Sequence, residues 1–290
     1  MTSRHTRHSR WLLLLVIGLA ASVGLAGLQV IARNRQSAAS AAMTGVPRGS
    51  INLPAKVTVK RSANWSGNVA TNHLYEDAYG SWRIPNVGAN FPNFLATSSQ
   101  WVGIGLGDSK RHPLVQAGTE ADDHVGTNLV TYYLWWQVVP EDSSQHVIDL
   151  IQPVLPGQQI SVHIHLSKNN AYITLKDGPA SITEHFNRHG QTIMPDGHAE
   201  WIDERTEVTF FGSRYPPLAD STVTFTHAEA SAPGLSKRGV GHLPHYANTM
   251  WTCARPIREL AVPLGIINGT KFKILWKNFG HTDKAGCSAG

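Results

Sequence analysis

From Val57 onward the chain is a succession of short alternating or β-branched runs broken by turn residues, with no convincing amphipathic helix. The clearest run is Gln159 to Leu166. Ile160, Val162, Ile164 and Leu166 share one face and Ser161, His163 and His165 the other, the pattern of a half-buried strand. Lys168-Asn169-Asn170 supplies a turn, and Ala171 to Lys176 returns before Asp177-Gly178, which predicts a hairpin. Leu129 to Val139 reads as a longer aromatic strand, and Val147 to Ile151, Glu207 to Phe211, Val223 to Thr226 and Lys271 to Trp276 as plainer ones. Many short strands with turns between them predict an all-β protein, an antiparallel two-sheet sandwich of the concanavalin or jelly-roll kind rather than a βαβ fold.

Ahead of that region the pattern changes twice. Trp11 to Ala32 is almost wholly apolar, and as a helix at ~1.5 Å per residue it would extend roughly 33 Å, about the hydrocarbon core of a bilayer. Arg4, Arg7 and Arg10 precede it, so the positive-inside rule places the N-terminus in the cytoplasm and the remainder outside. A cleaved signal peptide is the other reading, with small residues at Gly24 and Ala26, or Ala39 and Ala41, ahead of the cut. Both readings export the remainder of the chain, and the length of the apolar run favours an uncleaved anchor. Residues 33–56 are rich in Ala, Ser, Gly and Pro without periodicity, which suits a linker or short propeptide. The expected organisation is an N-terminal hydrophobic helix at 1–32 as anchor or signal, a linker at 33–56, and one β-sandwich domain at 57–290, secreted or held at the cell surface.

Aliphatic and aromatic residues make up 41% of the chain, enough for a sizeable core. Charged residues make up only 16%, below the roughly 25% usual for soluble domains. With nine Trp, that balance fits a packed extracellular β protein. The formal net charge of +5 does not indicate nucleic acid. Residues 1–43 hold Arg4, Arg7, Arg10, Arg33 and Arg35 and no acid, and removing those five from 25 basic residues leaves 20 against 20 acidic ones. The rest of the chain has no basic patch with interleaved aromatics. After export, Cys253 and Cys287 could close the C-terminal segment with one disulfide; two free thiols are the alternative.

Gly103-Ile104-Gly105-Leu106-Gly107 lacks the helix, the Lys and the glycine spacing of a phosphate loop, and reads as a strand end and turn. There is no Gly-x-Ser-x-Gly elbow and no His-Glu-x-x-His zinc motif. His163 and His165 share a strand face and could grip a metal, but two imidazoles without a third ligand more often form a solvated polar face. Glu120, Asp122 and Asp123 fall in an expected loop, where a solvated acidic turn is the default and a calcium site the minority case. One stretch remains, His198-Ala199-Glu200-Trp201-Ile202. A carboxylate against an indole loses hydration on one side, which favours its neutral form and suits acid–base work. The plain alternative is an exposed Glu on a surface strand. Gln116, 84 positions earlier, raises Glu200 above that alternative.

Taken in order, several stretches resemble the glutamic peptidases, also called eqolisins. Asn64-Trp65-Ser66-Gly67 is similar to the family's opening Asn-Trp-(Ala/Ser)-Gly, and Gly80-Ser81-Trp82-Arg83-Ile84-Pro85 to its Gly-x-Trp-x-Val-Pro. Ser99-Gln100-Trp101-Val102-Gly103-Ile104 follows its Trp-Val-Gly-Ile strand, and Trp135 to Pro140 its aromatic strand ending in Pro. Leu114-Val115-Gln116-Ala117-Gly118 resembles the strand of the catalytic glutamine, Ala199-Glu200-Trp201-Ile202 that of the catalytic glutamate, and Val223 to Ala230 a later structural strand. The resemblance implies a sandwich with Gln116 and Glu200 on neighbouring strands facing one cleft, hydrolysing peptide bonds in acid. Its substrate would be a protein or peptide, with no cofactor, no metal and no nucleic acid, and the chain would act as a monomer. Trp101, Trp135, Trp136 and Trp201 are the candidates to line a groove for extended peptide, although aromatics on strands serve equally as core.

Two departures stand out. The family usually carries Asp two positions after the Gly of Trp-Val-Gly-Ile, where this chain has Gly105, and an acid in the aromatic strand, where it has Gln137. Both bear on pH profile and substrate preference more than on reaction type. The rival readings are a carbohydrate-binding sandwich, an inactive homologue, and a glycoside hydrolase, which needs a second carboxylate roughly 5–10 Å from Glu200. Gln116 discriminates among them, because a lectin has no use for it and a glycosidase would want Asp or Glu in its place.

Overall fold

The structure, a computed structural model, describes residues 57–87, 95–108, 112–124, 129–148, 153–187, 197–209 and 212–289. The expected anchor or signal helix at 1–32 and the linker at 33–56 lie outside these. Among the described residues no helix is long and apolar enough to cross a membrane. Regular structure there is strand, apart from one 3₁₀ turn at Val240–His242.

In chain order the strands are β1 (Thr58–Ser62), β2 (Trp65–Ala70), β3 (Asp77–Arg83), β4 (Leu95–Ile104), β5 (Leu114–His124), β6 (Leu129–Val139), β7 (His146–Ile148), β8 (Gln159–Ser167) and β9 (Asn170–Asp177). There follow β10 (Ala180–Asn187), β11 (Ala199–Glu204), β12 (Arg214–Tyr215), β13 (Val223–Ala232), β14 (Leu235–Gly239), β15 (His245–Trp251), β16 (Glu259–Pro263), β17 (Phe272–Trp276) and β18 (Asp283–Lys284). One sheet runs β17-β16-β15-β2-β11-β4-β5-β6-β7, with β1 parallel to β15 at its margin. The other runs β10-β9-β8-β3-β13, with β14 against β13. Val223 to Phe225 of β13 pair with β17, whereas Thr226 to Ser231 pair with β3. Between them His227 has φ +52°, so the two sheets are one ladder folded at a corner.

The alternation read from the sequence explains the packing. Ile160, Val162 and Ile164 of β8 and Trp82 of β3 meet Val102 of β4, Ala117 of β5 and Trp201 of β11 in the layer between the sheets. Each fully buried large side chain there contributes about 1.5–3 kcal/mol. A second apolar cluster, with Val69, Trp101, Leu114, Trp135 and Ile202, covers the opposite face of the first sheet.

The β8–β9 hairpin and the long β6 stand where the pattern predicts them. Of the strand expected at Glu207 to Phe211, residues 210–211 lie outside the described residues, and in the described part Val208 makes only an isolated bridge to Arg214. The Thr206 N–H just before it is taken by Thr97 Oγ1 at 3.0 Å rather than by a ladder partner. Glu120, Asp122 and Asp123 are not in a loop but inside β5, and all three are buried.

Arg205, directly after β11, is wholly buried. Its guanidinium donates to Asp283 Oδ2 at 2.6 Å, to Ala63 O at 2.7 Å and to His281 O at 3.1 Å. Asp283 also accepts the Cys253 and Ala254 N–H groups, beside a disulfide joining Cys253 to Cys287. The pair therefore ties the end of β11 to the C-terminal segment. Removing one member leaves an uncompensated buried charge, which costs about 3–5 kcal/mol. Arg205→Met is expected to lower the unfolding free energy in urea by about that amount, and a loss below about 1 kcal/mol would show that the pair does not hold the segment.

Candidate active site

β11 lies between β2 and β4, and β5 lies beyond β4. Glu200 is in register with Val69 on one side and Gly103 on the other, Gly103 with Gln116, and Gln116 with Gln137. Residues in register across a sheet point to one face. Glu200 and Gln116 therefore stand on the same face, their Cα atoms about 10 Å apart by strand spacing, with only a glycine between them. A Cβ at Gly103 would lie 2.8 Å from Leu114 Cδ1 and 2.9 Å from the Trp101 ring, so no larger residue fits without displacing them.

Both members of the pair are buried, each 1% exposed. Gln116 Nε2 donates to Gln137 Oε1 at 3.2 Å. A primary amide carries two hydrogens, so one remains for a group lying over Gly103. Gln116 Oε1 is buried with no hydrogen-bond partner among the described residues. The row thus offers a carboxyl for proton transfer and an amide donor facing it across a gap, the two groups that amide hydrolysis requires.

The four expected substrate-lining tryptophans are placed otherwise. Trp201 is the neighbour of Glu200 in a strand, so the period of two sends it to the opposite face. There it is wholly buried between the sheets and donates Nε1–H to Tyr79 O at 2.6 Å, so it does not desolvate Glu200. Trp136 likewise faces away from Gln116, stacked on His146 at 4.1 Å. Trp101 and Trp135 share the face of the pair but are 0% and 1% exposed, with Nε1–H groups committed to Glu204 Oε2 and Ser99 Oγ. They brace the floor of the site and present no surface to a peptide.

The residues missed from the sequence are acids buried on that same face. Glu204 is in register with Ser99, Ser99 with Glu120, and Glu120 with Tyr133. Glu120 Oε2 accepts from Gln145 Nε2 at 2.8 Å, and Asp122 Oδ2 from the Tyr133 hydroxyl at 3.3 Å. Burial pushes Glu204 up to about 8, against the donors that include Trp101 and Asn64. It pushes Asp203, on the opposite face, up to about 7 against Gln100, Ser221 and Ser98, and it raises Glu120 and Asp122 as well. Their spacing of two residues in Glu120-Ala121-Asp122 was the available signal of a strand face. His163 and His165 lie on the other sheet, where Nε2 of one and Nδ1 of the other each stand 2.9 Å from Asp77 Oδ1.

Residues 63–243 match the sequence model of the peptidase A4 family. The chain belongs to the peptidase A4 family. It is thereby a peptide hydrolase of the glutamic class. Scytalido-glutamic peptidase, solved with a peptide-based transition-state analogue, superposes with a TM-score of 0.59 at 16% identity, covering 74% of this chain and 99% of that one. SCP-B, an eqolisin-family peptidase solved with the tripeptide Ala-Ile-His, gives 0.55 at 16% identity, covering 74% and 99%. At such identities the likeness is one of fold. No curated protein sequence matches the chain.

The raised acids fix how stability varies with pH. A carboxyl whose pKa is raised by folding contributes stability that is complete below its unfolded value, near ~4, and is lost as pH rises through the folded value. Asp203 and Glu204 therefore weaken this peptidase as pH climbs from about 4 toward about 8. Asp77, held below the usual range by His163, Ser231 and His165 against its burial, and Asp283, held low by Arg205, act oppositely and only below about pH 4. Thermal unfolding midpoints are expected to peak near about pH 4–5 and to decline toward about pH 8, with Glu204→Gln flattening the decline. A midpoint that climbs steadily across that range would contradict the assignment.

Proposed function

We propose that this peptidase cleaves protein or peptide substrates in acid, outside the cell, with Glu200 and Gln116 as its catalytic pair. The observation that carries the reading is the shared register row, in which the carboxyl and the amide flank Gly103 on one face. A peptide bond laid over Gly103 meets both groups. Glu200 removes a proton from a water molecule whose oxygen attacks the scissile carbonyl carbon. The developing oxyanion is held by the free N–H of Gln116, a neutral donor that serves at any pH. Glu200, now protonated, returns the proton to the amide nitrogen, the C–N bond breaks, and the carboxyl is ready for a second turnover.

The row contains Tyr246, Val69, Glu200, Gly103, Gln116 and Gln137, with no second carboxylate. That composition disfavours the glycosidase reading, which requires two. Work in acid is supported by the buried carboxyls, which are neutral there and favour the folded state. Export is supported by the apolar run Trp11 to Ala32 and by the Cys253–Cys287 disulfide, a bond typical of oxidising compartments.

The full chain is expected to hydrolyse an unfolded protein substrate faster in acid than at neutral pH. Glu200→Gln should remove at least about a thousandfold of kcat, and Gln116→Ala about a hundred- to a thousandfold, as for loss of an oxyanion donor. Hydrolysis undiminished in Glu200→Gln sinks the assignment.

A further inference from the structure

Beside Glu200, at the margin where β1 runs parallel to β15, the surface opens into a cavity of about 550 Å³. Two facts place it next to the catalytic row. Tyr246, which lines it, is in register with Val69, and Val69 with Glu200. His198, which also lines it, stands directly ahead of β11, two residues before Glu200. The wall is cationic. Lys60, exposed on β1, sets its Nζ 3.5 Å from the centre of the Tyr246 ring, and His198 and His245 also line the cavity. None of the lining residues is an acid. Imidazoles carry positive charge in acid. His245 gives its Nδ1–H to Leu243 O at 2.8 Å, while its buried Nε2 has no hydrogen-bond partner among the described residues.

Lys60 senses Glu200 directly. Burial pushes its ammonium down, and the negative charge of Glu200 opposes that fall. Burial and the same charge both push the Tyr246 hydroxyl up, keeping it a neutral donor. Lys60, His245 and Tyr246 all lie outside residues 63–243, so this part of the wall is built by segments beyond the family match.

We propose that this cavity is a specificity subsite that receives an Asp or Glu side chain of the substrate, bound by Lys60 together with His198, while the scissile bond lies over Gly103. The assignment rests on the peptidase reading of Glu200 and Gln116. A carboxylate entering here forms a charge-assisted hydrogen bond with the Lys60 ammonium and meets the His198 imidazole beside it. Glu200 alone would repel it, and Lys60, already drawn to Glu200, offsets that repulsion. A substrate with a neutral residue at this position does not gain that bond.

The test uses the full chain carrying Glu200→Gln, which separates binding from turnover. Fluorescent, C-terminally amidated peptides differ only by Glu, Gln or Lys at each position in turn, so that a side-chain carboxylate is distinguished from a terminal one. Fluorescence anisotropy in mild acid is expected to show one position at which Glu binds about tenfold more tightly than Gln, about 1.4 kcal/mol. Adding Lys60→Met or Lys60→Gln should bring that ratio below about twofold, and Lys60→Arg should keep it, because the guanidinium restores the charge. Equal or absent binding of Glu and Gln peptides at every position, or selectivity that survives Lys60→Met, overturns the subsite. Turnover by the unmodified chain without acidic selectivity removes the subsite and leaves the peptidase. Selective binding without any turnover does the reverse.

Discussion

Every residue of β11 is buried, and three of the six are carboxylic acids, Glu200, Asp203 and Glu204. Desolvating a carboxylate is so costly that a buried one is neutralised, hydrogen-bonded or paired. The strand meets this demand differently at each position. Asp203 is held by Ser98, Gln100 and Ser221, and Gln100 continues through Thr119 to Trp82 on the other sheet. Glu204 is held by Asn64 and Trp101. Arg205 then leaves the strand as a buried cation compensated by Asp283. The strand that carries Glu200 is thus fixed at its far end by polar groups whose neutral forms burial favours. An acidic medium supplies those protons, so the stability of the scaffold and the proposed working range of the enzyme have one physical source.

The strand pattern was legible because it depends on a period of two, which a sequence displays directly. β6 and the β8–β9 hairpin were readable for that reason, whereas Glu200 and Gln116 were paired by the resemblance of their flanking residues to the family's strands, and the register puts the two on one face. The roles of the tryptophans were not legible. Adjacency in sequence put Trp201 beside Glu200, whereas adjacency in a strand puts it on the opposite face. Trp101 and Trp135 share the right face, but whether an aromatic there is floor or lining depends on what lies over it, which only the tertiary structure decides. Glu120, Asp122 and Asp123 misled for another reason. Acids predict solvent, and their burial in β5 rests on partners such as Gln145 and Tyr133 that come later in the chain.

The two positions where the family carries acids show how this chain arranges the charge of its site. Gly105 has φ +117°, and a Cβ there would fall 1.9 Å from Pro113 O, so the local backbone leaves no room for any side chain. Its N–H instead donates to His198 O at 3.1 Å, and His198 lines the cationic cavity. Gln137 replaces the other acid in register with Gln116 and accepts its amide hydrogen. A carboxylate in that place could accept the same bond but would titrate, and with its protonation the orientation of Gln116 would change. An amide does not titrate. The Gln116 amide therefore keeps one orientation at every pH, and Glu200 is the single carboxyl of its row. What changes with pH around the row is then set by the deeper acids, Asp203 and Glu204, whose raised pKa values couple the firmness of the row to an acidic medium.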